Sequence, residues 1–336
     1  MNKVAKKRMV LLAAVAVLLP GLAFANGAAI DPGRLPEASR KALQKQIQDY
    51  RKTHSVAFDA VAGVRGCSEA GYRDARVAKP LCGRELRALG RDVLLPLIEA
   101  LAFQAPVPGA GKPGPYSVPA RGVPSTAVQL AEKEAFVSGL IEAIGVIRDA
   151  RSLPVLRAVL ELPGTPVARQ SLAAEAIGRL NSVVALQILV PHTKAGGPLQ
   201  TAAIDGLGHC KRVDSAQHLA AMLGKQPDAA TAATLAKALG SVASSWAWQA
   251  MARQDAANSA ATTATGLQVR TVAAQALVRA FAAYDGAVRE AAGEALQMAE
   301  HPDTVALLAQ ARRNAPAAAV AAIDAYSLEF ARRHSR

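Results

Sequence analysis

From residue 85 onward, apolar residues return in a fixed phase relative to a set of glycines. Immediately before Gly90, Gly145, Gly178, Gly208 and Gly240 stand Leu89, Ile144, Ile177, Leu207 and Leu239. Eight residues after those glycines come Ile98, Leu153, Leu186, Ala216 and Trp248, and eleven after them Leu101, Leu156, Leu189, Leu219 and Met251. Apolar positions three apart, in segments bounded by Gly and Pro, predict short amphipathic helices with one buried stripe. The last four glycines are 33, 30 and 32 residues apart. Each period therefore holds a first helix ending near its glycine, a tight turn and a second helix running back, with the glycine expected to supply a left-handed helix end. Neither helix buries its stripe alone, whereas stacked pairs share one continuous core. The predicted fold class is all-α, an α-solenoid of stacked antiparallel helix pairs over residues 85–313.

Two stretches break the pattern. Residues Gln104–Thr126 hold six prolines and four glycines in 23 residues, which neither a helix nor a central strand accommodates. Gly90 and Gly145 are 55 residues apart, and subtracting those 23 leaves 32, the period of the array. Loop 104–126 is thus expected to be extruded from a regular stack, as a polyproline-like excursion or as an arm carrying Tyr116 to a partner. Asp255–Gly266, small and polar, is expected to be a longer inter-helix loop. Before the array, residues 35–62 predict a helix with Leu43, Ile47 and Tyr50 on its apolar side. The region 26–84 is then an N-terminal helical cap or a small independent domain. At the other end, 314–336 reads as a capping helix with a polar, basic tail, "EFARRHSR".

The first 25 residues change the setting. Lys3, Lys6, Lys7 and Arg8 precede the apolar run Met9–Leu19, then Pro20-Gly21 and Ala23-Phe24-Ala25. That order is the one found in secretory signal peptides, with cleavage after Ala25. The apolar run is short for an uncleaved membrane anchor. No cysteine follows the cleavage site, which argues against a bacterial lipoprotein. The expected location is periplasmic or secreted. Removing residues 1–25 takes away four basic and no acidic residues, so the formal charge falls from +13 to +9. For an exported chain, a basic balance points to an acidic polymer, an anionic lipid surface or an acidic protein, or else to a solvated surface with no dedicated ligand. Export also makes Cys67 and Cys82 candidates for a disulfide, while Cys210, inside a helical pattern, reads as a small buried residue.

The segments "AIGVIRDARSLPVLRAVL" (143–160) and "DGAVREAAGEAL" (285–296) resemble HEAT-like repeats of the short bacterial type, also called phycobilisome-lyase-type repeats. The resemblance extends from Glu85 to Leu308. It implies a binding surface rather than a reaction, and a polar ladder between an Asp in the inter-helix turn and an Arg on the second helix. Asp149 and Arg157 match that pair, whereas Ser182, Arg212 and Ser244 replace the acid in the next three repeats. There is no tetratricopeptide or ankyrin signature.

Candidate chemistry is sparse. No nucleophile elbow, H-E-x-x-H, phosphate-binding loop or dinucleotide fingerprint occurs. His209, Cys210 and His218 are the only cluster with metal-binding residue types, and their spacing matches no recognised zinc arrangement. The carboxylates Glu142 and Glu161, or Asp205 and Asp214, carry no mark of an acid/base couple. No catalytic, cofactor or metal site is assigned. The expected function is a non-enzymatic binding or scaffolding solenoid whose second helices line a concave, partly basic face. Arg151, Arg157 and Arg253 are expected to contact an unidentified protein or acidic polymer there. The alternative, open only if the signal peptide is not used, is a nucleic-acid-binding or DNA glycosylase-like HEAT protein using Trp246, Trp248, Lys211 and Arg212.

Overall fold

The computed structural model describes residues 30–64, 81–103 and 126–334, with the side chains of 81–82 and 126–133 outside the description. The signal-peptide segment 1–25, Cys67 and residues 104–125 of the proline-rich loop lie outside the described residues. Cys82 sits on a described helix but its side chain does not, so the Cys67–Cys82 disulfide also falls outside them. Among the described residues every regular element is helical, which confirms the all-α expectation.

The cap region holds α1 (Glu37–Thr53) and α2 (Ser55–Ala62). The expected single helix is broken at His54, whose backbone (φ −134°) leaves the helical region. Arg51 then lies 3.8 Å over the Phe58 ring, and the Tyr50 hydroxyl donates to the Asp92 carbonyl at 2.7 Å. Leu43 and Ile47 are buried as predicted. Next come α3 (Leu81–Ala88), α4 (Leu94–Ala102), α5 (Thr126–Ile147) and α6 (Leu153–Glu161), with α1 and α2 packed on α4. The pairs continue with α7 (Val167–Arg179) and α8 (Val183–His192), then α9 (Gly197–His209) and α10 (Val213–Leu223). After them come α11 (Ala229–Ala243), α12 (Ser245–Gln254), α13 (Ser259–Ala283), α14 (Gly286–Ala299), α15 (Thr304–Arg313) and α16 (Ala317–His334).

The first helices form a row in which α3, α5, α7, α9, α11 and α14 each pack on the next. The repeated glycines make that row possible, for a different reason than the sequence implied. Only Gly90 ends its helix with a left-handed backbone (φ 84°); Gly145, Gly178, Gly208 and Gly240 lie inside helices. A Cβ on Gly145 would stand 2.7 Å from the Ala176 Cβ, and one on Gly240 2.8 Å from the Ala295 Cβ. On Gly178 it would run into the Gly206 carbonyl oxygen. The glycines remove side chains so that backbones touch. The left-handed helix ends fall three residues later, on Arg148 (φ 58°) and Asn181 (φ 52°).

The second helices are spaced differently. α6, α8 and α10 rest mainly on the first helices rather than on one another. The closely spaced side of the row is therefore the first-helix side. Three residues standing four beyond a glycine accept a backbone N–H: Asp149, heading the 3-10 turn before α6, from Arg151, Ser182 from Ala185 and Ser244 from Ala247, whereas Arg212 before α10 makes no such bond. The three accepting side chains are helix caps. The Asp149–Arg157 ladder is not formed. Asp149 holds Arg151 and Arg157 holds Glu161.

The pattern loses phase after α12 because α13, 25 residues long, enters the second layer between α10 and α15 and also packs on α11 and α14. Residues 259–266 are its first two turns, not the expected loop. Thr263 and Thr265 bond back to the Ser259 and Ala261 carbonyls, and Gly266 sits under the Trp248 indole, where a Cβ would be 2.9 Å from the ring. At the end of the chain, α16 lays Tyr326 on Gly293 and Phe281, its hydroxyl donating to the Gly293 carbonyl at 2.6 Å.

Replacing Gly178 by Ala should lower stability by about 2–3 kcal/mol, as overpacking does. Gly164→Ala, in open space with a left-handed backbone (φ 77°), should cost about 1 kcal/mol. Urea unfolding followed by circular dichroism distinguishes the two, and equal losses would refute the backbone-contact role.

Candidate functional site

Close approach of the first helices brings together side chains at one register, three residues before each glycine: Glu142, Glu175, Asp205 and Lys237. Arg87 of α3 reaches Glu142 of α5 at 3.5 Å. Arg169 of α7 donates Nε to Glu134 of α5 at 3.2 Å. On α7, Glu175 accepts from Arg179 at 3.0 Å and lies 3.6 Å from His209 of α9. Polar contacts thus join α3 to α5, α5 to α7 and α7 to α9.

Burial and neighbouring charge tune this stripe. Asp205 is pushed up to about 6, first by burial and then by the Glu175 carboxylate, with Lys237 opposing. His209 is held down at about 4 by burial and by the nearby Arg179 and Lys211, so it is neutral at pH 7. Lys211 falls to about 8 through burial and the charge of Arg148. Its ammonium donates to the Ser241 carbonyl at the end of α11 and, at 3.5 Å, to that of Gly208 near the end of α9, where helix dipoles favour a cation. Its backbone N–H donates to the Asn181 amide oxygen at 2.7 Å.

At the same edge, cations from successive pairs converge. Arg179 places Nη1 3.6 Å from where a Gly145 Cβ would be, beside the last turn of α5. Arg148 follows that turn and Arg91 follows α3. Both Arg91 and Arg179 depress Arg148, after the larger effect of burial. Among the described residues neither Arg91 nor Arg148 has a carboxylate partner in ion-pair range.

The residues singled out from the sequence are placed otherwise. Arg151 is bound to Asp149, through Nη2 at 2.7 Å. Arg157 is bound to Glu161 at 2.9 Å, and Glu161 also meets His192 at 3.1 Å. Arg253 is exposed in the last turn of α12, separated from the other two by α7–α11 in the row. The structure does not bring the three together. His209, Cys210 and His218 are likewise dispersed: His218 lies 3.2 Å from the Thr193 hydroxyl, and burial raises the Cys210 thiol to about 11, keeping it protonated. Among the described residues no group of three or more His, Cys, Asp or Glu side chains is placed to hold a metal ion. Trp248 is core, 5% exposed with its indole N–H on the Val242 carbonyl, whereas Trp246 is 72% exposed. Asp205 and Glu175 are held in the stripe by burial and by their neighbours' charges.

The missed signal was the register itself. Counting three back from each glycine yields acid, acid, acid, base, a pattern visible in the sequence once the glycines are read as contact points. No protein-family model matches the chain, and none of the curated proteins matches it. Among the described residues no helix is long and apolar enough to cross a membrane.

A folded-state pKa raised for Asp205 means stability from this group is present below the ordinary carboxylate range, near about 4. It is lost as pH rises through about 6. Asp205→Asn should therefore stabilise the protein at pH 7 by about 1 kcal/mol, after discounting for solvent access, and by much less at pH 4. Thermal unfolding of both proteins across that pH range tests this. A pH-independent difference would refute it.

Proposed function

We propose that this chain is an exported, non-enzymatic binding or scaffolding protein of HEAT-like architecture, presenting a partly basic surface to an acidic partner. The observation that carries the reading is the convergence of Arg91, Arg148 and Arg179 from three consecutive helix pairs, with Arg91 and Arg148 unmatched by carboxylates among the described residues. Unneutralised cations gathered at one edge repel each other, and an anionic partner relieves that repulsion while gaining attraction. Repetition supplies the length: each pair contributes equivalent positions to a continuous surface. In this reading the closely spaced first helices form the concave side, and the cation edge borders it. Arg151 and Arg157, already neutralised by Asp149 and Glu161, contribute little. Export rests on the charged, apolar and small-residue order of residues 1–25.

Cross-linking in intact cells, followed by fractionation and mass spectrometry, tests both parts. The chain should be recovered outside the cytoplasm with its N-terminus at Asn26, attached to a discrete acidic protein. The Arg91→Glu, Arg148→Glu double variant should reduce capture at least tenfold at low salt, whereas the Arg151→Glu, Arg157→Glu, Arg253→Glu triple variant should change it little. Unchanged capture by the double variant would sink the cation edge, and an intact N-terminus in the cytoplasm would sink export.

A further inference from the structure

The second layer contains a surface that the cation edge does not use. α13 lies between α10 and α15, and along each flank runs a groove. One, of about 550 Å³, is walled by small residues of α10 and α13, among them Ala220, Ala276 and Ala280. The other, of about 690 Å³, runs between α13 and α15 past Val278, Leu307 and Ala311. Arg279 and Ala283 line both. Alanine leaves the groove between two packed helices unfilled, because nothing projects far enough to close it. The α13 positions involved run from Gln275 to Ala283, about 12 Å at the helical rise.

We propose that this double groove docks an acidic amphipathic helix of a partner protein, with Arg279 as its anchor. Charge chooses the occupant. Lys225 and Arg279 are the only charged residues lining either groove, and no Asp or Glu does. Arg279 is exposed and has no ion-pair partner among the described residues. Gln226 lines the first groove and Gln275, Gln310 and Asn314 the second, beside the alanines and aliphatics. An arginine between such grooves can hold a carboxylate in two parallel hydrogen bonds while the helix carrying it buries aliphatic side chains on either flank. The chain's own segments outside the described residues do not fit. Residues 104–125 contain Lys112 and Arg121 and no acid, residues 1–29 contain four basic residues and no acid, and residues 65–80 hold four basic residues against Glu69 and Asp74. A second copy is opposed by like charge, a formal +13 on the whole chain and +9 without residues 1–25.

The inference stands apart from the cation edge, and the experiment keeps them separate. The probe is a synthetic, fluorescently labelled amphipathic helix with a leucine and alanine stripe and glutamates along its border, compared with the same peptide carrying glutamine for glutamate. Anisotropy titrations use the full chain, at low salt. The expected result is saturable binding of the glutamate peptide, at least tenfold weaker binding of the glutamine peptide, and at least tenfold loss on Arg279→Glu. Ala282→Trp, which fills one groove without changing charge, should weaken binding comparably, while Arg91→Glu with Arg148→Glu should not. Both groove substitutions are at positions with solvent access, and unchanged helical circular dichroism confirms that each variant folds. The proposal is overturned if Arg279→Glu binds like the parent, if the two peptides bind equally, or if Ala282→Trp has no effect. It is also overturned if sedimentation shows a dimer that Arg279→Glu abolishes, which assigns the surface to a second copy.

Discussion

Backbone contact between successive first helices is the constraint on which the rest of the molecule depends. Gly178 faces the Gly206 carbonyl, Gly145 faces Ala176, Gly208 faces Ala238 and Gly240 faces Ala295. At each, the absence of a side chain lets two helices meet at their main chains, so dispersion acts over many closely spaced atoms. Large aliphatics then fill the space between layers: Ile144, Ile177, Leu207 and Leu239 from the first helices, Leu156, Leu189 and Leu219 from the second. This explains how a chain with few aromatic residues forms a continuous core.

The polar contacts between first helices follow from that approach. When helix axes approach so closely, side chains three residues from the contact point on neighbouring helices come within ion-pair reach. Arg87 with Glu142 is such a pair, and the same spacing sets the neutral His209 beside Glu175. Close approach also withdraws these groups from water, which is why Asp205 and Lys211 lie away from their ordinary ionisation ranges.

Much of this was legible in the chain and some was not. The buried stripe emerged from the glycine-anchored count because helix period and burial are local properties, and every large aliphatic standing before an interior glycine is indeed buried. The role of the glycines was misread: a local argument offers a left-handed turn, whereas the actual reason involves a helix some thirty residues away, beyond what a single segment reveals. Asp149 was matched with Arg157 and Glu161 was counted as solvated, whereas Asp149 holds Arg151 and Glu161 holds Arg157. Residues 259–266 read as loop on composition, yet packing of Gly266 beneath Trp248 makes them helical. That contact joins two elements whose meeting no periodicity announces.

The layer of second helices has a mechanical consequence. A stack fastened along one side and only loosely joined along the other behaves like a folding fan, bending most readily by spreading the loose side while the fastened spine keeps its length. Between α6 and α8, and between α8 and α10, little opposes such spreading. At α13 the design changes, because this helix touches α10 and α15 within the loose side while gripping α11 and α14 on the spine. It acts as a strut. Among the described residues the fan therefore opens most readily in its middle, between α6 and α10, with α13 bracing the helices that follow.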